Sequence, residues 1–179
     1  MRALVIGGDG GLALALRAQL AARGCDVVWT TRRSLLAGDL HEHEEVMHLD
    51  MLDPVIPESL TQDVGHNWVV YIMAAITGMV PAERHPDAWR INAYAPLALA
   101  RQAHAHRWHV VFPSTGAVEL APHMAAAYQK TYAEVPILMW GGCVVRILPR
   151  VPAEKYAEVA DLLFHVGEEH RSGLVRWEG

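Results

Sequence analysis

Short apolar runs alternating with helical stretches predict an α/β fold: a doubly wound parallel sheet in three αβα layers, forming one compact domain over residues 1–179. Three features carry that expectation. Arg2–Ile6 and Trp68–Met73 are apolar at nearly every position, as strands covered by helices on both faces are. The stretch Gly10–Arg23 repeats leucine and alanine at helical spacing. Glycines stand where a strand must turn into a helix, at Gly7, and where the first helix must stop, at Gly24.

Arg2–Ile6 is the first strand and Gly10–Arg23 the first helix, with Leu12, Leu16 and Leu20 on one face. Cys25–Thr30 is the second strand, Val46–Leu49 a short third and Trp68–Met73 the fourth. Pro86–His106 is a long helix by composition. Pro96 should kink or restart it, because proline lacks the amide hydrogen and its ring crowds the preceding turn. His109–Phe112 is the fifth strand, Met124–Glu134 a helix and Cys143–Leu148 the sixth strand. Ala153–His170 is the last helix, and Leu174–Trp177 a final strand. Each crossover should be right-handed. Ser34–Glu45 and Asp53–Asn67 are polar, acidic or proline-containing connections, and only a short helix fits the second.

Composition narrows the function classes. A net charge of -5 argues against a broad nucleic-acid footprint. Cys25 and Cys143 both sit in apolar runs and read as two buried thiols, with a disulfide between them as the alternative; thiols suit a reducing, cytoplasmic setting. Met1–Gly7 is too short a hydrophobic run for a signal peptide, and Trp68–Ile76 is too short to cross a membrane.

The first turn reads Gly7-x-x-Gly10-x-x-Ala13 between a strand and a helix. That context gives the pattern its meaning: a tight turn at Gly7, close backbone approach to a pyrophosphate at Gly10, and close helix packing at Ala13. Gly11 and Leu12 would add N–H groups at the helix N-terminus. A glycine-rich turn without a ligand is the alternative. Asp9 beside a phosphate is awkward unless it points to solvent or caps the helix. The second strand ends in Thr30-Thr31-Arg32-Arg33, with no acidic residue to accept ribose hydroxyls. Arg32 and Arg33 would pair with a 2′-phosphate or lie over adenine, favouring NADP with NAD second, unless they are ordinary surface arginines.

Taken together, these residues resemble the extended short-chain dehydrogenase/reductase superfamily, a Rossmann family. The nearest group is that of dTDP-4-dehydrorhamnose reductases and sugar-nucleotide epimerases. The likeness runs from Met1 to about Leu148, and again over Tyr156–Gly179. Leu49-Asp50 resembles the family position that touches adenine, with Met51 beside it. Met73-Ala74-Ala75-Ile76 resembles the turn that lies along the cofactor. The resemblance implies that Asn92 is a structural and proton-relay asparagine that also lines the cofactor site, and that Thr115, in Phe112-Pro113-Ser114-Thr115, binds a carbonyl oxygen. It further implies that Lys130, four residues before Glu134, binds ribose. Val145–Pro149 resembles the strand that ends near the nicotinamide.

Two departures matter. The family's tyrosine stands four residues before its lysine, and here that position is Ala126. Tyr128 lies two residues before Lys130, an offset that points to another helix face, so it would serve as the acid only if the helix is locally distorted. His123, just before this helix, is a second substitute, or else a loop histidine. The other departure is the direct passage from Pro149–Ala153 into a late helix, which leaves little or no substrate lobe.

His41, His43 and His48, and His104, His106 and His109, lack the companions of a zinc site and read as solvent-facing histidines. Trp89, Trp108, Trp140 and Trp177 fit either core packing or an oligomer interface, and the family resemblance implies a homodimer through the helices carrying Asn92 and Lys130, with a complex with a partner protein as the alternative. Three readings follow. The first is an NADP-dependent oxidoreductase on a small carbonyl or alcohol. The second is a nucleotide-responsive regulatory or assembly protein. The third is a structural Rossmann domain without cofactor.

Overall fold

Strands β1 (Arg2–Ile6), β2 (Asp26–Thr31), β3 (Glu44–His48), β4 (Trp68–Ile72), β5 (His109–Thr115), β6 (Cys143–Ile147) and β7 (Gly173–Trp177) form a parallel sheet in the order β3-β2-β1-β4-β5-β6-β7. This is a computed structural model describing residues 1–33, 44–62, 68–77, 83–120, 125–148 and 151–177. His41, His43, His123 and most of the Ser34–Glu45 connection lie outside the described residues. The helices are α1 (Gly11–Ala22), α2 (Glu58–Thr61), α3 (Ala95–Ala105), α4 (Ala117–Leu120), α5 (Ala125–Met139) and α6 (Tyr156–Glu168). The architecture is the predicted three-layer Rossmann fold.

Strand alternation divides the core in two. Leu4 and Ile6 of β1 join Leu99, Phe112 and Ile137 on the face covered by α3 and α5. Ala3 and Val5 join Leu16, Leu20 and Leu163 on the face covered by α1 and α6. All five residues of β4 are buried, which explains its unbroken apolar sequence.

Two prolines show how local chemistry was accommodated. Pro96 stands in the first turn of α3, immediately after a π-helical turn over Arg90–Tyr94. The wider turn relieves the crowding that a proline ring imposes on the carbonyl four residues back, so the helix restarts there as expected. Pro113 was expected to follow the end of β5, yet the strand continues to Thr115. β4 pairs with β5 only as far as Tyr71↔Val111, whereas β6 pairs on to Thr115↔Ile147. Pro113 therefore lies beyond the last β4 partner, where a missing N–H is tolerated as on an edge strand.

Helix α5 also exceeds its predicted end at Glu134, running through Pro136 to Met139, with Ile137 buried in its last turn. Past β6, the described residues form a 3-10 turn over Ala153–Lys155, then α6 and β7. Trp108 is buried against Trp68, with ring centroids 5.7 Å apart, so it belongs to the core and not to an interface. His109, expected to face solvent, is also buried; it packs 5.1 Å from His170, and burial pushes its pKa down to about 4.

Candidate functional site

The parallel order reverses direction between β1 and β4, and the crevice beyond their C-terminal ends is where such sheets bind ligands. The glycines of the first turn there do different work. Gly7 has φ +80°, and a Cβ on it would stand 2.6 Å from the Cβ of Ala74. A Cβ on Gly8 would stand 2.8 Å from Trp29. The protein's own packing requires these two glycines. Gly10 has φ -79°, and the nearest atom to a Cβ there is the Gly7 carbonyl oxygen, 4.0 Å away. Internal packing makes no such demand at Gly10. Helix α1 begins without a side-chain cap and without an acidic residue in its first turn. Its first N–H groups and the positive end of its dipole are therefore open to an anion.

The turn opens onto a cleft of about 540 Å³, a size suited to a cofactor. Gly7, Gly10, Gly11 and Leu12 line it beside Arg32 and Arg33 from the end of β2. Asp50 and Met51, after β3, and Ala74 and Ala75, after β4, continue the lining. Thr115 and Lys130 complete it on the β5 side. The residues present fit a dinucleotide: an open anion site at a helix N-terminus, a side-chain-free approach at Gly10, and a cleft that crosses the switch point.

Lys130 reaches the cleft from α5. Its Nζ donates to the Pro113 carbonyl at 3.2 Å and stands 4.4 Å from the Phe112 ring centroid. Burial pushes its pKa down to about 8, against the opposing pull of Glu134. Thr115 Oγ1 accepts from the Ala117 N–H at 3.2 Å, which leaves its own hydroxyl hydrogen to donate. Ser114 instead donates to buried Glu134, which also takes Arg146 Nη2 at 2.6 Å. Arg146 extends to Glu119 at 2.5 Å, and Glu119 accepts from Arg176 Nε at 2.9 Å. Hydrogen bonds from Arg176 and Arg146 hold the Glu119 carboxyl below its ordinary value. This chain of charges ties β5, β6, β7, α4 and α5 together behind Thr115.

Two expected site residues are placed elsewhere. Asn92 lies in the π turn, 1% exposed and outside the cleft lining. Its Oδ1 accepts from the Ile76 N–H at 2.8 Å, and its Nδ2 donates to the Ile76 carbonyl at 3.0 Å and to Gln129 Oε1 at 2.9 Å. It clamps the loop after β4 to the residue preceding Lys130. Tyr128 is 63% exposed and packs edge-on against Trp89, with centroids 5.8 Å apart. A regular helix turns about 100° per residue, so a two-residue offset sends Tyr128 away from the cleft that Lys130 enters.

One cleft residue was not anticipated, and a second has partners that the sequence did not give. Tyr156, at the start of α6, lies with its ring against Gly11, where a Cβ would meet Cε2 at 2.8 Å. α1 and α6 pack on one face of the sheet although β1→β2 and β6→β7 step along it in opposite directions, so the β6–α6–β7 crossover is left-handed, against the right-handed expectation, and nothing in the sequence gives this hand or the rotation that aims Tyr156 at Gly11. Asp9 does not cap α1, and its side chain is 34% exposed. It accepts from the Thr31 hydroxyl at 3.2 Å and pairs with Arg33 Nε at 3.2 Å. Among the described residues, no group of three or more histidine, cysteine, aspartate or glutamate side chains is placed to hold a metal, and no helix is long and apolar enough to cross a membrane.

The profile of the family described as RmlD substrate binding domain matches residues 1–145. The chain belongs to that family. Its fold is that of the short-chain dehydrogenase/reductase superfamily, related to dTDP-4-dehydrorhamnose reductases. Comparison with curated proteins finds no match. Among solved structures, this RmlD-family chain superposes on MoeE5 in complex with UDP-glucose and NAD with TM-score 0.79 and 17% identity, covering 98% of this chain and 75% of that one. It superposes on a dTDP-4-dehydrorhamnose reductase from Clostridium acetobutylicum with TM-score 0.74 and 18% identity, covering 99% and 74%. For the Bordetella bronchiseptica enzyme WbmH in complex with NAD+, the TM-score is 0.77 at 13% identity, covering 98% and 74%. At these identities the likeness concerns the fold.

Proposed function

We propose that this RmlD-family chain binds a nicotinamide dinucleotide, NAD(P), along the cleft and acts as an oxidoreductase on a small carbonyl or alcohol. The observation that carries the reading is the uncapped N-terminus of α1 behind an unobstructed Gly10, opening into the cleft that also holds Thr115 and Lys130. The NAD complexes of MoeE5 and WbmH, built on the same fold, support it. A bound dinucleotide supplies hydride-transfer chemistry. The chain's own residues bind and orient: α1 faces the pyrophosphate, Lys130 holds the ribose, and Thr115 donates its hydroxyl to the carbonyl oxygen. Asn92 positions both the loop after β4 and α5. Arg32 and Arg33 support NADP as one of the two cofactors, although Arg33 is shared with Asp9. A second reading, a nucleotide-responsive regulatory or assembly protein, is favoured by Ala126 at the family's tyrosine position together with the outward placement of Tyr128.

Calorimetry with NAD, NADH, NADP and NADPH tests the reading. Binding of at least one is expected, and absence of binding to all four would overturn both versions. Binding without turnover on a panel of small carbonyls would leave the regulatory version standing. Affinity should also weaken as pH rises through about 8, where Lys130 loses its charge, and Lys130→Met should remove that step. The sign for stability is opposite. In the unfolded chain this lysine stays charged up to its ordinary 10.5, so between pH 8 and 10.5 the folded state holds fewer protons and gains stability as pH rises. An affinity profile that is flat across pH 8, or unchanged in Lys130→Met, would remove Lys130 from the site.

We also propose a homodimer through the face carrying Trp89, Tyr94, Tyr128 and Tyr132. These four rings are exposed and packed on one another, and Val135 and Met139 continue the same helical stripe on α5, exposed by 55% and 80%. Sedimentation of the purified chain should give a dimer, and Tyr132→Glu should shift it to monomer; a monomeric wild type would overturn the pairing. The buried free thiols Cys25 and Cys143 support a reducing, cytoplasmic setting.

A further inference from the structure

The end of β2 carries no carboxylate of its own, yet one stands there. Asp9 comes from the glycine turn, and its Oδ2 accepts from the hydroxyl of Thr31, the last residue of β2, at 3.2 Å. The same oxygen pairs with Arg33 Nε at 3.2 Å. Oδ1 makes no hydrogen bond among the described residues. Asp9, Thr31, Arg32 and Arg33 all line the cleft at its β2 end, where this fold places the adenosine ribose of a dinucleotide. We propose that Asp9 sets the cofactor choice, selecting NAD over NADP by accepting a ribose hydroxyl and opposing a 2′-phosphate. The inference rests on the dinucleotide reading above and sharpens it.

A 2′-hydroxyl is a donor, and a carboxylate oxygen without a partner is a strong acceptor for it. A 2′-phosphate brings negative charge and acceptor oxygens only, which a carboxylate within hydrogen-bond reach of Thr31 repels. The arginine pair does not reverse this. Arg33 is drawn to Asp9 and is 78% exposed, so water screens what it offers a phosphate. The positive charge that the bare sequence Arg32-Arg33 presents is thus partly neutralised from a residue more than twenty positions earlier.

Dissociation constants for NAD and NADP, measured by calorimetry on the wild type and on Asp9→Asn, test the assignment. The wild type should bind NAD more tightly than NADP. Asp9→Asn should move the NADP-to-NAD ratio toward NADP by about tenfold or more, mostly through tighter NADP binding. A wild type that prefers NADP would overturn the inference, as would a ratio that moves by less than about tenfold in Asp9→Asn. Should Asp9→Asn not fold, Asp9→Ser, which keeps a short polar side chain without charge, carries the same readout. A wild type that binds neither dinucleotide sinks the functional reading itself, and this assignment with it. A wild type that binds, with a ratio indifferent to residue 9, sinks the assignment alone.

Discussion

Arg17→Met should cost about 3–5 kcal/mol of folding stability, the usual penalty for removing one partner of a buried ion pair. For a chain of this size that lowers Tm by roughly 6–20 °C, which thermal denaturation measures. The side chains of Arg17 and Glu44 are 2% and 0% exposed. Their contact is bidentate, with Nη2 to Oε2 at 2.5 Å and Nε to Oε1 at 2.8 Å. The guanidinium lies 3.8 Å from the Trp29 ring centroid, and Nη1 donates to the Gly8 carbonyl at 3.1 Å. One side chain thus joins α1, β3, β2 and the glycine turn. Methionine fills much of the volume but leaves the Glu44 carboxylate buried without its cation, and that is the larger part of the penalty. The double variant Arg17→Met with Glu44→Leu should recover most of the loss. If the single variant melts within about 2 °C of wild type, the pair is not the brace described.

Gly7→Ala and Gly10→Ala should separate fold from function within one turn. At Gly7 an added Cβ meets both the Cβ and the backbone of Ala74, at 2.6–2.8 Å, in a left-handed conformation. Neither neighbour can rotate away, so a loss of about 2–4 kcal/mol is expected, with the turn displaced. At Gly10 the backbone is extended and the space is open, so stability should change by less than about 1 kcal/mol. Dinucleotide binding should nevertheless fall sharply in Gly10→Ala, because the methyl group occupies the approach to α1. Denaturant titration and calorimetry on the same preparations give both readings. A Gly10→Ala variant that binds as well as wild type would mean that the ligand does not approach there.

Much of the fold was legible because its signals are local. The buried strands show as apolar runs, and the direction of the first helix shows in Leu12, Leu16 and Leu20. Pro96 announced a restart of the helix, which the π turn provides. The apolar run of the fifth strand stops at Phe112, yet the strand continues to Thr115; the tolerance of Pro113 within it depends on where a neighbouring strand stops, which is a property of the sheet. The cleft lining was also largely legible, since Gly7, Gly10, Asp50, Ala74 and Thr115 sit at or just past strand ends that must converge in a parallel sheet, whereas Lys130, which enters from α5, was legible only through the family resemblance.

The sequence by itself determined the Rossmann architecture, the glycine turn and the absence of a tyrosine four residues before Lys130. Only the tertiary structure decided that Asn92 clamps the loop after β4 instead of lining the cleft, that Tyr156 covers Gly11, and that Asp9 stands at the end of β2 against Arg33. The physical reason is one of range. Periodicity and turn chemistry act over a few residues, whereas charge pairs such as Arg17–Glu44 and Asp9–Arg33 join positions more than twenty residues apart, and form only once the sheet has set the distance between them.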